Sequence, residues 1–276
     1  MENLLEKINE ASAFIKSKIT FEPEYCIVLG SGLAELVSKV EVKCEIQYKD
    51  IPHFPLSTVV GHPGKLTLGI LSGKKVAVMQ GRFHFYEGYT MSEVAFPVRV
   101  IKFCGAKTLI VTNAAGGLNP IIKVGELMII NDHINLQPDN PLLGKNFDEL
   151  GPRFPDQHAV YNKQMIAQAR AIAKANNIIC HEGVYVGVPG PTFETPAEYR
   201  YFRLCGGDAI GMSTVPEVVA ANHMGMKIFG ISVITDEGNP EVAVKISHEE
   251  VVRAAKEAEP RMSLIIRELL EQQPNT

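Results

Sequence analysis

The sequence lacks several features that would place the protein in a common class. No apolar run approaches the roughly 18 residues that cross a bilayer. The formal net charge is −4, so no excess of basic residues provides a surface for nucleic acid. The five cysteines are widely spaced without a Cys-x-x-Cys pair, which is typical of buried free thiols. We therefore expect a cytoplasmic protein with no membrane or nucleic-acid partner.

Patterns that bind metal ions are absent as well. The eight histidines include no His-x-x-x-His pair, and no histidine stands at the spacing from a carboxylate that is typical of a helix-borne metal site. The sequence therefore predicts no metal centre.

What the sequence does contain is a regular alternation of strands and helices. With 276 residues, 46% of them hydrophobic, the chain can bury a large core. No repeat, low-complexity tract or linker divides it, so the sequence predicts an α/β fold in one domain over residues 1–276. Apolar segments at 25–29, 75–80, 108–112 and 227–234 predict strands, and segments at 91–104 and 159–176 predict helices.

Residues 81–89 concentrate polar side chains between two glycines. The segment reads Gly-Arg-Phe-His-Phe-Tyr-Glu-Gly-Tyr and follows a predicted strand, and ligands of open α/β sheets gather at the carboxyl ends of strands. Arg82 can grip an oxyanion with two hydrogen bonds, and His84 can add a donor that depends on protonation. The segment favours a phosphate or carboxylate site, although a solvated loop is the more frequent setting of such a pattern.

A second glycine-rich turn, at residues 30–32, follows the first predicted strand. Gly-Ser-Gly resembles the opening of a dinucleotide fingerprint, but Glu35 stands where the third glycine belongs, which argues against a nicotinamide cofactor. Backbone N–H groups and the Ser31 hydroxyl could still hold a single phosphate at the start of a helix. A tight turn without a ligand is an equal alternative.

Polar residues also follow the other predicted strands. Glu194 could be a partly buried carboxylate that accepts a ring N–H, or a charge at the start of a helix. Phe193 could lie against an aromatic ligand or in the core, and Met212 is more often a packing residue than a ligand contact. Because such residues recur at so many strand ends, a common rim is the economical explanation. Its members would be Ser31, Arg82, His84, Tyr86, Asn113, Ala114, Phe193, Glu194, Met212, Ser213 and Asp236.

Six segments together resemble the purine nucleoside phosphorylases of the homotrimeric type. They read Gly-Ser-Gly-Leu at 30–33, the segment 81–89, Thr-Asn-Ala-Ala-Gly-Gly-Leu-Asn-Pro at 112–120, Asp-His-Ile-Asn-Leu at 132–136, Gly-Pro-Thr-Phe-Glu-Thr at 190–195 and Gly-Met-Ser-Thr-Val-Pro-Glu at 211–217. The resemblance implies one α/β domain with a mixed, partly barrel-like central sheet flanked by helices. It also implies a homotrimer that reversibly cleaves purine (deoxy)ribonucleosides with orthophosphate, giving free base and (deoxy)ribose 1-phosphate, without a cofactor.

The resemblance also implies a role for individual residues of this chain. Phosphate would be bound by Ser31, His62, Arg82, His84, Ala114 and Ser213. Ribose would be contacted by Tyr86, Met212 and His248, and by Phe154 from a neighbouring subunit. The base would be contacted by Phe193, Glu194, Asp236 and Val251. His84, Glu194 and Asp236 would be the catalytic residues, and Glu87 would orient His84.

Asp236 departs from the family pattern, which often has Asn after the last core strand. An ionised Asp offers acceptors only, so it suits a 6-amino group and opposes a 6-oxo oxygen unless it is protonated or bridged by water. Methylthioadenosine phosphorylases use an Asp here, but they generally lack a glutamate at the position of Glu194, which suits the N1–H of a 6-oxopurine. Inosine and guanosine are the expected substrates. A methylthioadenosine phosphorylase, or relaxed acceptance of 6-aminopurines, is the alternative.

Two more distant alternatives keep the fold but not the reaction. A non-catalytic nucleoside-binding protein would not need the intact set of Arg82, His84, Glu194 and Ser213. A nucleosidase that uses water would not need so complete a phosphate site.

Overall fold

A mixed β-sheet of nine strands forms the centre of the computed structural model, which describes residues 4–33, 35–56, 58, 63–238 and 247–274. The strands are β1 (Tyr25–Leu29), β2 (Glu41–Gln47), β3 (Lys65–Leu71), β4 (Lys74–Gln80), β5 (Thr108–Gly117), β6 (Leu127–Asn135), β7 (Cys180–Gly187), β8 (Ala209–Gly211) and β9 (Lys227–Glu237). Their order across the sheet is β2-β3-β4-β1-β5-β8-β7-β6-β9.

Part of this sheet closes on itself. β5 pairs with β8 on one side and, in parallel, with β9 on the other, so β5, β8, β7, β6 and β9 form a closed ring. β1 joins the ring to the antiparallel strands β2, β3 and β4 through parallel pairings with β4 and β5. The fold is therefore α/β with a mixed, partly barrel-like sheet, which confirms the predicted fold class.

Six helices flank the sheet in the described part of the chain, and the helix pairs α1 with α2, α2 with α5 and α3 with α6 are in contact. None of them is long and apolar enough to span a membrane. The helices are α1 (Leu4–Lys16), α2 (Met91–Phe103), α3 (Lys163–Ala175), α4 (Pro196–Leu204), α5 (Val215–His223) and α6 (His248–Glu271).

Local sequence signals account for where these elements begin. All five residues of β1 are buried, as expected for a strand covered on both faces. Helices α2, α4 and α6 each start at a capping box. The hydroxyl of a Thr or Ser cap accepts from the backbone N–H three residues later, and the Glu carboxylate at that later position accepts from the backbone N–H of the cap. The caps are Thr90, Thr195 and Ser247. Thr195 and Ser247 thereby fix the residues at which α4 and α6 begin.

Four predicted features differ from the structure. β5 continues beyond residue 112 and β9 beyond residue 234, because the two strands pair with each other as far as Gly117 and Glu237. The turn at 30–32 leads into a short 3-10 helix, Glu35–Lys39, and not into an α-helix. Helix α3 begins at Lys163 and not at residue 159, since the Asn162 side chain caps it by accepting from the Met165 N–H at 3.0 Å.

Candidate active site

A cavity of about 490 Å³ opens where β1, β4, β5, β8 and β9 end, next to the start of α6. Every residue predicted for the site lines this cavity, with two exceptions. His62 lies outside the described residues, and Phe154, on the loop between β6 and α3, is 88% exposed and does not line the cavity. The residues brought together are Ser31, Arg82, His84, Tyr86, Ala114, Phe193, Glu194, Met212, Ser213, Asp236, His248 and Val251.

Arg82 forms the floor at one end of the cavity and is only 2% exposed. Its Nη2 donates to the carbonyl oxygens of Val28 and Thr112, which belong to the neighbouring strands β1 and β5. Its Nη1 donates to the hydroxyls of Ser213 at 2.9 Å and Thr214 at 3.0 Å. The guanidinium is thus held in place by the protein, so an incoming anion would meet a preorganised positive group.

The hydroxyls of Ser213 and Thr214 stand on an unusual turn before α5. Thr214 is completely buried and has φ 71° and ψ −54°, and the Val215 N–H donates back to the Ser213 carbonyl at 2.7 Å. This is a γ-turn of the rare, strained kind for a residue with a side chain. Asn113 Nδ2 also donates to the Thr214 hydroxyl, at 3.0 Å. The surrounding structure therefore holds Thr214 in this strained conformation. In this conformation the Ser213 and Thr214 hydroxyls both lie within hydrogen-bond distance of Arg82.

Glu217, on the first turn of α5, is a buried residue near the site to which the sequence assigned no role. Its Oε1 lies 3.7 Å from Arg82 Nη1, and neither carboxylate oxygen has a hydrogen bond within the described residues. A buried carboxylate requires a compensating charge, and Arg82 supplies it. The sequence could have indicated a role for Glu217 only through its position at the end of the segment 211–217. Its proximity to Arg82 arises from the fold.

His84 is oriented by a network on the same wall. Its Nδ1 and its backbone N–H each lie 2.9 Å from Glu87 Oε1, which confirms that Glu87 orients the ring. Burial alone would raise the pKa of Glu87, but hydrogen bonds from His84 and Thr58 lower it to about 2, so the carboxylate stays ionised. The imidazole also stacks on the Tyr86 ring, with centroids 4.7 Å apart. An imidazole bound at Nδ1 presents Nε2 as its second polar atom.

Two carboxyl groups, Glu194 and Asp236, occupy the opposite end of the cavity. Burial, with the added charge of Asp236, raises the Glu194 pKa to about 7. Burial also raises the pKa of Asp236, whose Oδ1 accepts from the Thr235 hydroxyl at 3.1 Å. Each of the two groups donates a hydrogen bond when protonated and only accepts when ionised. This end of the cavity can therefore bind heterocycles that differ in their ring N–H and exocyclic groups. Phe193 exposes its ring beside them.

Asp236 reaches the cavity because residue 116 on the neighbouring strand has no side chain. A Cβ placed on Gly116 would lie 2.9 Å from Asp236 Oδ2, closer than real contacts allow. Small residues at the end of a strand predict close approach of a ligand to the backbone. Gly116 lines the cavity as well, and its missing side chain also leaves room for the Asp236 carboxylate.

Tyr86, Met212 and the start of α6 complete the lining of the cavity. Burial raises the pKa of Tyr86 to about 12, so its hydroxyl stays protonated as a donor. Gly190 allows Met212 to approach, since a Cβ there would overlap the methionine sulfur. His248 is the first residue of α6 and Val251 lies on its first turn, both directed by the cap at Ser247.

The cavity thus has donors for an oxyanion at one end and acceptors or acids for a heterocycle at the other. Within the described ranges, no group of three or more His, Cys, Asp or Glu side chains could hold a metal ion.

Comparison with known proteins gives consistent matches over nearly the whole chain. The family model of the phosphorylase superfamily matches residues 24–271. Purine nucleoside phosphorylase 1 of Bacillus subtilis (strain 168) is 48% identical over 267 residues, which cover 97% of this chain and 98% of that protein. The crystal structure of Schistosoma mansoni purine nucleoside phosphorylase with adenosine is 40% identical, with a TM-score of 0.93 and 99% of each chain covered. The same protein with inosine gives a TM-score of 0.93 at 40% identity, covering 99% of this chain and 98% of that one.

Proposed function

The chain belongs to the phosphorylase superfamily, and within it to the purine nucleoside phosphorylases, and we propose that inosine and guanosine are its chief substrates. It catalyses the reversible reaction of a purine nucleoside with orthophosphate to give the free base and (deoxy)ribose 1-phosphate, a reaction of purine salvage. One observation carries the proposal. A single cavity joins a buried guanidinium with two hydroxyls at one end to the partly buried Glu194 carboxyl at the other.

The Arg82 end is the proposed phosphate site. Arg82, Ser213, His84, Ser31 and the strand end at Ala114 all line it, and His62 is proposed to join them. A guanidinium, hydroxyls and an imidazole are the donors that bind an oxyanion without a metal. Orthophosphate is then a co-substrate, and no cofactor is proposed.

The reaction itself explains why the two ends differ. As the bond between ribose C1′ and purine N9 breaks, its electron pair leaves with the base, and a phosphate oxygen forms the new bond to C1′. Positive charge develops on the ribose, and the phosphate held at Arg82 stabilises it. Negative charge develops on the purine, where hydrogen bonds from preorganised groups can stabilise it. We place His84, Glu194 and Asp236 in this catalytic set.

The base is proposed to bind between Phe193 and Val251, with Glu194 as the group that reads its edge. An ionised Glu194 accepts the N1–H of hypoxanthine or guanine, whereas N1 of adenine has no hydrogen to donate. Because the Glu194 pKa is about 7, a large share of the enzyme holds the ionised form at neutral pH. This favours 6-oxopurine nucleosides.

Asp236 supports a second candidate, relaxed acceptance of 6-aminopurine nucleosides, with methylthioadenosine phosphorylase as its extreme. The Asp236 carboxyl lines the cavity and can accept from a 6-amino group when ionised. Replacing Asp236 by Asn should raise the ratio of kcat/KM for inosine to that for adenosine by about tenfold, since a mismatched hydrogen bond costs about 1–3 kcal/mol. The neighbouring Glu237→Gln is the control. An unchanged ratio contradicts relaxed acceptance through Asp236.

The ribose is proposed to lie against Tyr86, Met212 and His248, which line the same cavity. Phe154 is proposed to complete this site from a neighbouring subunit of a homotrimer. The support is its position, since Phe154 is an aromatic residue that is 88% exposed and outside its own cavity. The five free cysteines agree with the proposed cytoplasmic location.

The reaction is tested by supplying inosine, adenosine or methylthioadenosine to the protein, each with and without orthophosphate. Free base together with ribose 1-phosphate should appear only when phosphate is present, and fastest from inosine. Release of base at the same rate without phosphate would indicate a nucleosidase. Faster turnover of methylthioadenosine would favour the second candidate.

A further inference from the structure

Tyr199 is a buried phenol on α4 that the sequence did not connect with the site. The residue is 6% exposed, and its hydroxyl has no hydrogen bond of standard geometry to any described residue. A buried hydroxyl without such a partner is unfavourable, so its presence requires a reason. Tyr199 does not line the cavity, so any part it plays in the reaction passes through a neighbouring side chain.

The Tyr199 ring lies between the two segments that carry the carboxyl groups of the base site. On one side, α4 starts two residues after Glu194 and carries Tyr199 near its beginning. On the other side, the ring packs against Gly238, two residues after Asp236. A Cβ placed on Gly238 would lie 2.5 Å from a carbon of the ring. The phenol therefore joins the start of α4 to the end of β9.

Three carboxyl groups lie near enough to act on the phenol through their charge, namely Glu194 and Glu198 from the α4 side and Asp236 from β9. Burial, followed by their charges, raises the Tyr199 pKa far above its usual value, so the phenol keeps its proton. Glu198 Oε2 already accepts from the Thr195 N–H and hydroxyl at 2.7 and 2.9 Å, and Asp236 Oδ1 accepts from Thr235. That leaves Glu194 as the carboxyl to which the Tyr199 hydroxyl can donate, and such donation opposes the effect of burial on the Glu194 pKa.

We propose that Tyr199 is a positioning residue for base recognition, whose hydroxyl donates to one oxygen of the Glu194 carboxylate and leaves the other oxygen to accept N1–H of the purine. The inference rests on the proposed role of Glu194 at the base. Donation from the phenol favours the ionised carboxylate, which recognises a 6-oxopurine. A protonated Glu194 would instead donate to N1 of a 6-aminopurine. Tyr199 therefore biases the enzyme toward inosine and guanosine without touching them.

The test is Tyr199→Phe, which removes one oxygen and keeps the ring that packs against Gly238. The kcat/KM for inosine and for adenosine would be measured at saturating phosphate from about pH 5.5 to 8.5. The acid limb of the pH profile for inosine should shift to higher pH by about one unit. The loss of a hydrogen bond to the ionised carboxylate raises the pKa of Glu194 by about that amount. At neutral pH the ratio of inosine to adenosine should fall by about tenfold. Tyr201→Phe, two residues away and on the exposed side of α4, is the control and should change neither.

A second measurement separates this inference from the proposed function. The pKa of the Glu194 carboxyl, followed by NMR of carbon-13-labelled protein, should rise in Tyr199→Phe whether or not the protein cleaves nucleosides. A wild-type protein without activity, together with this rise, would refute the proposed substrates and keep the contact. An unmoved Glu194 pKa, or an equal loss of activity on both nucleosides, would overturn the role of Tyr199.

Discussion

The Arg82 guanidinium and the Glu217 carboxylate are both almost fully buried, and their atoms approach to 3.7 Å. Replacing Arg82 by Ala should lower kcat/KM for phosphate by about 100- to 1000-fold, the usual effect of removing a preorganised donor. It should also lower the free energy of unfolding by about 3–5 kcal/mol, because Glu217 would be left as an uncompensated buried charge. Steady-state kinetics with varied phosphate and denaturant titration measure the two effects.

A double variant separates those two effects. Arg82→Met combined with Glu217→Gln removes both charges and should recover most of the lost stability, whereas the use of phosphate should stay impaired. If the single variant keeps the wild-type dependence on phosphate, Arg82 does not belong to the phosphate site.

Glu194 links activity and stability in opposite directions. Its pKa is raised to about 7 in the folded protein, so the folded state holds the proton more tightly than the unfolded state does. The stabilisation by the protonated form is therefore complete below the unfolded pKa of about 4.3 and is lost as the pH rises through 7. Glu194→Gln cannot ionise, and its melting temperature should exceed that of the wild type at about pH 8 but not at about pH 4.

The same variant should lose activity while it gains stability. The amide oxygen of the substituted side chain would accept N1–H without a charge, so kcat/KM for inosine should fall by about 10- to 100-fold at pH 8. Thermal melting and initial rates at both pH values measure the pair of effects. A variant that is less stable than the wild type at pH 8 would contradict the raised pKa.

At the scale of elements, α6 lines the cavity with its first turn and packs further along against the turn at Ser31. Val252 O and Ala255 Cβ pack on Gly32, and the Glu259 carboxylate accepts from the backbone N–H groups of Glu35 and Leu36. Removing the acceptor in Glu259→Ala leaves two N–H groups unbonded and should cost about 1–3 kcal/mol of stability. The turn at Ser31 should loosen as well, which raises KM for phosphate more than KM for inosine.

Glu259→Gln is the matched control, because it keeps one oxygen that can accept these N–H groups. Burial raises the pKa of Glu259 to about 7, so the ionised form costs stability above that pH. The Gln variant should therefore be as stable as the wild type at low pH and slightly more stable above pH 7. Equal phosphate KM values in the Ala and Gln variants would show that this contact does not position the turn.

Some elements could be predicted from the sequence almost residue by residue, and others could not, for physical reasons. Tyr25–Leu29 was predicted with its observed bounds because burial on both faces requires an uninterrupted apolar run. β5 and β9 were predicted too short because Asn113, Gly116 and Asp236 have the composition of a loop. Only the pairing of the two strands with each other keeps these residues in the sheet, and that pairing is not local in sequence.

In the site, too, some residues could be predicted from the sequence and others could not. Residues that stand inside recognisable segments, such as Arg82 and Glu194, could be named from the sequence, and the structure brings them into one cavity. Glu217 and Tyr199 were missed because each matters only through a neighbour that folding supplies, Arg82 in one case and Glu194 in the other. Phe154 stays a prediction, since its proposed partner is another subunit.

At the scale of the whole molecule, the loop that carries Phe154 is anchored but leaves its aromatic ring outside. Arg99 donates to the Pro141 carbonyl at 2.7 Å, and Asn222 donates to the Asp156 carbonyl at 2.8 Å. If Phe154 completes a neighbouring site, Phe154→Ala should lower kcat/KM for inosine by about 10-fold or more without changing the melting temperature, since truncating an exposed ring costs little stability. Leu204→Ala, which truncates a residue that is 87% exposed on α4, is the control and should keep full activity.

Mixed oligomers give the sharper form of this prediction. Phe154→Ala subunits keep an intact cavity, and Glu194→Gln subunits keep an intact Phe154. Unfolding and refolding the two impaired variants together should restore part of the lost activity, because some sites would combine both wild-type groups. Refolded mixtures that are no more active than the separate variants would show that Phe154 acts within its own chain or not at all.

The closed ring of strands has a consequence for how the enzyme is made. Its closure requires β5 to pair with β9, residue Thr108 with Lys227, after most of the chain has been synthesised. Contacts between such distant segments form slowly, because the entropy of closing the intervening loop must be lost first. His248 and Val251 come later still. A fragment that stops before them would lack part of the proposed ribose and base sites, so the proposed site is complete only once α6 has been synthesised.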